Sequence, residues 1–160
     1  MGVFAFDDEH TSSVAPAKLY KALTKDSDTV IPKVVESIQS IEIIEGNGGP
    51  GTVKKLTVVD DIGGKTSHLV HKVDALDEAN FLYGYSLLGG AGLDMLNLEK
   101  VSFETKLLPG PDGGSIGKVS VKYHTKGDAP LPNDVRVETE TKGIGLFDAI
   151  QGYVSANPDY

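Results

Sequence analysis

Glu45-Gly46-Asn47-Gly48-Gly49-Pro50-Gly51-Thr52-Val53-Lys54-Lys55 is the stretch on which the fold turns. Four of the six residues from Gly46 to Gly51 are glycine and a fifth is proline. Apolar, β-branched runs flank them, Ile41–Glu45 on one side and Thr52–Asp60 on the other. Two such runs joined by glycines read as a hairpin. Gly46 and Gly51 also have the spacing of a phosphate-binding loop. That loop needs Lys and Ser/Thr directly after its second glycine and leads into a helix whose amides hold the phosphate. Here Gly51 is followed by Thr52-Val53, Lys54 arrives late, and a strand continues. The stretch is read as a turn in which Gly46, Asn47, Gly48, Gly49 and Gly51 supply the positive φ angles. Its exposed amides could still attract an anion.

Outward from this turn the pattern stays strand and turn. After Thr52–Asp60 come the turn Asp61-Ile62-Gly63-Gly64, then Thr66–Val73, Phe81–Leu88 and Glu99–Leu108. The turn Gly110-Pro111-Asp112-Gly113-Gly114 leads into Ile116–His124. Six consecutive strands predict an antiparallel meander. Residues 2–11 alternate Phe4, Phe6, Asp8 and His10 against Val3, Ala5, Asp7 and Glu9. They predict a first strand with an aromatic inner edge that closes one side of the sheet. Pro16 opens a short helix carrying Leu19, Tyr20 and Leu23. A second short helix follows Asp26 or Ser27 and ends between Ile31 and Val35, because Pro32 prevents a long straight one.

The tail from Asn133 to Val154 is predicted as one helix. Asn133 and Asp134 suit its first turn. Ile144, Phe147, Ile150 and Val154 step by three and four into an apolar stripe, widened by Leu146 and Tyr153. Asn157-Pro158 ends it. The helix carries Gly143, Gly145 and Gly152, each costing roughly 0.5–1 kcal/mol relative to Ala. Two readings stand: close packing of the helix backbone on the sheet, or a pliable wall beside a cavity.

Composition narrows the function classes. The chain has 160 residues, 39% of them apolar, with no long apolar run, and is expected to form one domain over residues 1–160. Its start has neither the basic nor the apolar region of a signal peptide, and Phe6 spoils the Met1-Gly2 myristoylation motif. Cys is absent and no Asn-x-Ser/Thr sequon occurs. A cytosolic protein is expected, with entry to the nucleus open at this size. Against 23 acidic residues stand 15 basic ones, for a net charge of −8. Nucleic acid binding draws its affinity from Lys and Arg on phosphates, and no such footprint is present for nucleic acid or for an anionic membrane.

The glycine-rich stretch Glu45–Lys55 resembles the corresponding loop of the plant pathogenesis-related class-ten family, kin of the major birch pollen allergen. The start Gly2-Val3-Phe4, the segment Tyr123-His124-Thr125-Lys126-Gly127-Asp128 and the ending Ala156-Asn157-Pro158 are similar too. The resemblance runs in order along the whole chain and is nearest to the legume members, including those named abscisic-acid-responsive. It implies an α+β helix-grip fold: a curved seven-stranded antiparallel sheet around a long C-terminal helix, with two short helices beneath. It also implies an internal cavity for cytokinins, flavonoids, brassinosteroids, fatty acids and similar ligands, and a monomeric carrier or buffer in stress and defence.

The resemblance places His68, Tyr83 and Tyr85 on the cavity wall. Alternation by itself offers two sets, Ser67, Leu69 and His71 against His68, Val70 and Lys72. An inward imidazole needs a partner or a ligand, which favours His68 as a contact. Asp8 adds a polar group. Leu23, Ile31, Ile38, Leu56, Val58, Val70, Phe103, Leu146, Phe147 and Ile150 are the apolar wall candidates, each equally readable as plain core. No metal site is expected, since His68 and His71 point to opposite faces, and no cofactor is implied.

Three further functions follow from the resemblance. Ribonuclease activity reported for family members would map to Lys55, Glu99 and Tyr153. The second glutamate of that set is Gln151 here, which cannot carry a proton as a carboxylate does. A condensing enzyme would need an inward-facing lysine, which the pattern does not display apart from Lys72. Distant relatives bind abscisic acid and inhibit a phosphatase through gating loops, and Gly89-Gly90-Ala91-Gly92-Leu93 is a candidate lid with a phosphatase as partner.

Overall fold

The computed structural model describes residues 2–59, 66–89 and 97–157. Its strands are β1 Val3–Ser12, β2 Ile38–Glu45, β3 Val53–Val59, β4 Thr66–Asp77, β5 Leu82–Gly89, β6 Leu98–Pro109 and β7 Ser115–Thr125. Its helices are α1 Pro16–Leu23, α2 Ser27–Val34 and α3 Asn133–Ala156. All strands join one seven-stranded sheet in the order β1-β7-β6-β5-β4-β3-β2. Every neighbouring pair is antiparallel. The meander and the edge position of β1 are as predicted. The proposed turn at Asp61–Gly64 and the lid residues 90–93 lie outside the described residues.

Local chemistry accounts for these elements. β1 alternates exposed and half-buried residues along its whole length, with Phe4, Phe6, Asp8 and His10 on the inner side. Pro16 sits at the first helical position of α1, where its missing N–H costs nothing. Pro32 lies within α2, which ends two residues later. Strands β4, β6 and β7 run longer than the apolar pattern alone indicated, because ladder bonds with neighbours extend past the last apolar residue.

The glycine-rich turn forms as read, with Gly46, Gly48 and Gly51 at φ of 96°, 99° and 89°. Its amides, however, are spent internally. Gly48 N donates to Thr52 Oγ1 at 2.9 Å and Gly49 N to Asn47 Oδ1 at 3.2 Å. Gly51 N donates to the Val73 carbonyl at 2.8 Å. These three amides are therefore not free for an anion, and the turn is pinned to β4.

The interior has two apolar clusters. One joins Leu19, Tyr20 and Val30 of α1 and α2 to Val73, Tyr83, Leu107 and the C-terminal half of α3 through Phe147, Ile150 and Val154. The other joins Leu98, Val101, Val121 and Tyr123 to Val135 at the start of α3. Ile144 falls on the flank of the helix stripe and is exposed, unlike its predicted companions. No atom lies within 4 Å of where a side chain would begin at Gly143, Gly145 or Gly152. All three are exposed, so they do not pack closely on the sheet.

Candidate functional site

A cavity of ≈ 230 Å³ opens between the sheet and α3, walled by residues from both apolar clusters. Most of the predicted wall is there. Asp8, Leu23, Ile31, Ile38 and Leu56 line it, as do Tyr83, Tyr85 and Phe103 of the sheet and Leu146, Phe147 and Ile150 of α3.

Three predicted residues are not brought in. His68 is exposed, with Nδ1 3.5 Å from Thr57 Oγ1. Val70 shares its outward side of β4. The inward set is Leu69, His71 and Val73, because Leu56 pairs with Leu69 and Tyr85 with Val73, and side chains of paired residues share a face. Val58 lies at the end of β3 opposite Ser67 and Ile38, beyond the wall. The histidine of the cavity is His71. The sequence carried a signal for it: the set containing Leu69, His71 and Val73 is the more apolar one, whereas the other contains Lys72.

His71 belongs to an aromatic wall. Its ring stacks on Tyr85 with centroids 4.5 Å apart and planes 8° from parallel. Tyr85 stacks in turn on Phe103 at 4.9 Å and leans on Tyr83 at 5.1 Å. Tyr83 Oη lies 3.2 Å from His71 Nε2, so the phenol can donate to a bare ring nitrogen. Burial, and then the neighbouring Lys54 ammonium, lowers the His71 pKa to about 4. Burial also raises Tyr83 well above the usual phenol value and Tyr85 to about 12. This wall therefore presents neutral hydrogen-bonding groups and aromatic faces at physiological pH. His10, on the inner side of β1, Leu87 and Gly143 complete the cavity with Thr105, Val119 and Glu140, the last three not predicted.

Lys54 is the inward lysine that the sequence pattern hid. It is 6% exposed, and its Nζ donates to Asp28 Oδ1 at 2.7 Å. Its signal was the two-residue step to Leu56 on the same strand. It lines not the apolar cavity but a second, more polar cleft of ≈ 440 Å³ between α1, α2, the glycine-rich turn and β4. Tyr83 borders both spaces.

The ribonuclease candidates do not converge. Lys55 faces away from the cavity, 3.8 Å from Glu42. Glu99 is exposed beside Leu98, which packs with Val135 at the start of α3. Tyr153 packs in the other cluster, near the end of that helix. Residues 135 and 153 are separated by about 27 Å of helix at 1.5 Å per residue.

A seven-stranded sheet closed by one long helix over an aromatic-walled cavity agrees with what the sequence matches. Residues 1–157 match the pathogenesis-related protein Bet v 1 family. The chain belongs to that family. Curated relatives cover it end to end. Protein LlR18B of Lupinus luteus is 66% identical and the ABA-responsive protein ABR17 of Pisum sativum 64% identical, each over 100% of both chains. Among solved structures, that of Ara h 8.0201 superposes with a TM-score of 0.90 at 57% identity, covering 98% of this chain and all of the other. As a Bet v 1 family member the chain has the helix-grip fold with the two short helices packed against the end of α3. No helix among the described residues is long and apolar enough to cross a membrane.

Proposed function

We propose that residues 1–160 act as one binding domain for small, flat apolar or amphipathic plant molecules such as cytokinins, flavonoids or abscisic acid. The protein serves as a monomeric cytosolic carrier or buffer in stress and defence. One observation carries this reading: the stacked His71–Tyr85–Phe103 wall, with Tyr83 bonded to His71, faces an apolar space beside α3. Ligand pockets pair an apolar surround with a few placed polar groups in this way. The volume is slightly below the roughly 300–1000 Å³ usual for such pockets, which favours compact ligands over long lipids.

Titration calorimetry against trans-zeatin, a flavonoid and abscisic acid tests it. Micromolar or tighter binding of at least one is expected. His71→Gln should weaken zeatin binding about tenfold, the worth of one buried hydrogen bond, and His68→Ala should leave it unchanged. Failure of all three ligands to bind would end the carrier reading.

A further inference from the structure

The charges around the cavity are one-sided. Its lining includes two carboxylates, Asp8 and Glu140, and no lysine or arginine. Arg136 pairs with the second of these carboxylates: its Nη1 donates to Glu140 at 2.9 Å, and its guanidinium lies 4.6 Å from the centre of the Phe6 ring. Lys54, the cross-strand partner of His71, is held by Asp28 and opens onto the other cleft. Asp8 makes no ion pair and no hydrogen bond among the described residues. Asp8 thus marks an acidic end of the cavity, opposite in character to the neutral His71–Tyr83 end.

We propose that the cavity sorts ligands by charge, taking flat aromatic molecules with a neutral or protonated-amine end and rejecting those that end in a carboxylate. The proposal rests on the carrier reading and deepens it. A carboxylate entering this space loses its water, finds no free cation in the lining, and faces the unpaired Asp8 carboxylate. A protonated amine loses the same water but gains Asp8 as counter-ion, and the faces of Tyr85 and Phe103 favour a cation further. A neutral ligand carries neither the penalty nor the gain. Of the three ligands named above, abscisic acid, a carboxylic acid, should rank last.

Three indoles of nearly one shape separate these effects: tryptamine, tryptophol and indole-3-acetate, titrated by calorimetry at neutral pH. Tryptamine should bind at least as tightly as tryptophol, and indole-3-acetate at least tenfold more weakly than tryptophol. Asp8→Asn should weaken tryptamine several-fold and strengthen indole-3-acetate, narrowing the gap from both sides. Glu140→Gln should act in the same direction, and serves if Asp8→Asn does not fold. Indole-3-acetate binding as tightly as tryptophol overturns charge sorting and leaves the carrier reading intact. Zeatin binding with none of the indoles bound also overturns the charge proposal alone. If zeatin, the flavonoid and every indole fail, both readings fall together.

Discussion

The sheet side of the cavity and the helix side are built on opposite plans. On the sheet, His71, Tyr83, Tyr85 and Phe103 lock one another through ring contacts of 4.5 to 5.1 Å and a cross-strand hydrogen bond. On α3, three glycines leave space that no neighbour fills, and four of its 24 residues are buried. The difference assigns two jobs. The sheet wall fixes where a flat ligand can lie and what it can bond to. The helix fixes how much room there is, and it can shift without breaking a packed contact at the glycines. A cavity needs both, since a wall rigid on all sides would fill with its own side chains, and a loose one on all sides would collapse.

The sharpest way to break this contrast is to remove a ring from the locked side. Tyr85 touches His71, Tyr83 and Phe103, so Tyr85→Ala deletes three ring contacts at once. Large-to-small changes at buried aromatics cost about 3–5 kcal/mol, and about 4 kcal/mol is expected here from denaturant unfolding. A cost below about 1 kcal/mol would mean that the stack is not what holds the wall.

The second test uses acid. The folded-state pKa of His71 is about 4, against an ordinary 6.5 in the unfolded chain. As pH falls, the unfolded state takes up its proton first, near 6.5, and the folded state only near 4. Stability from this group is therefore complete above pH 6.5, declines between 6.5 and 4, and levels off below. The integrated loss is about 3 kcal/mol for a shift of this size. Carboxylates titrate in part of the same window, so the comparison is with His71→Gln. Unfolding free energy measured at pH 7 and pH 4.5 should drop more steeply in the parent than in the variant. Equal slopes would show that the folded imidazole titrates like an unfolded one, and that burial in the wall does not hold it neutral in acid.

The same contrast explains what could be read from sequence. The sheet was legible because alternation and glycine turns are local signals. Strand β1, the turn at Gly46–Gly51 and the helix from Asn133 needed no knowledge of neighbours. The face of β4 that turns inward is not local. His68 and His71 sit three apart, and the choice between them depends on Leu56 opposite Leu69 and Tyr85 opposite Val73, pairings that only the register supplies. Lys54 was hidden for a related reason. A lysine on a strand reads as exposed until its counter-ion is known, and Asp28 comes from a helix 26 residues earlier. Asp8 was legible as an inward polar group from the pattern of β1, whereas Glu140 was not, because it lies on α3 before the apolar stripe that begins at Leu146.

The smallest effect probes the helix directly. Gly143→Ala, Gly145→Ala and Gly152→Ala each add a methyl group where nothing lies within 4 Å, so no clash opposes the gain in helix propensity. Each should stabilise the fold by about 1 kcal/mol, or some 2–4 °C in Tm. The three should nevertheless differ in binding. Gly143 lines the cavity, so its new methyl takes ligand space, whereas Gly145 and Gly152 do not line it. Thermal unfolding and zeatin titration of the three variants separate the outcomes. Equal stabilisation with affinity lost only for Gly143→Ala fits a helix whose glycines trade stability for room. Destabilisation at any of the three would mean that the glycine spacing serves close packing after all, and the division of work between sheet and helix would have to be redrawn.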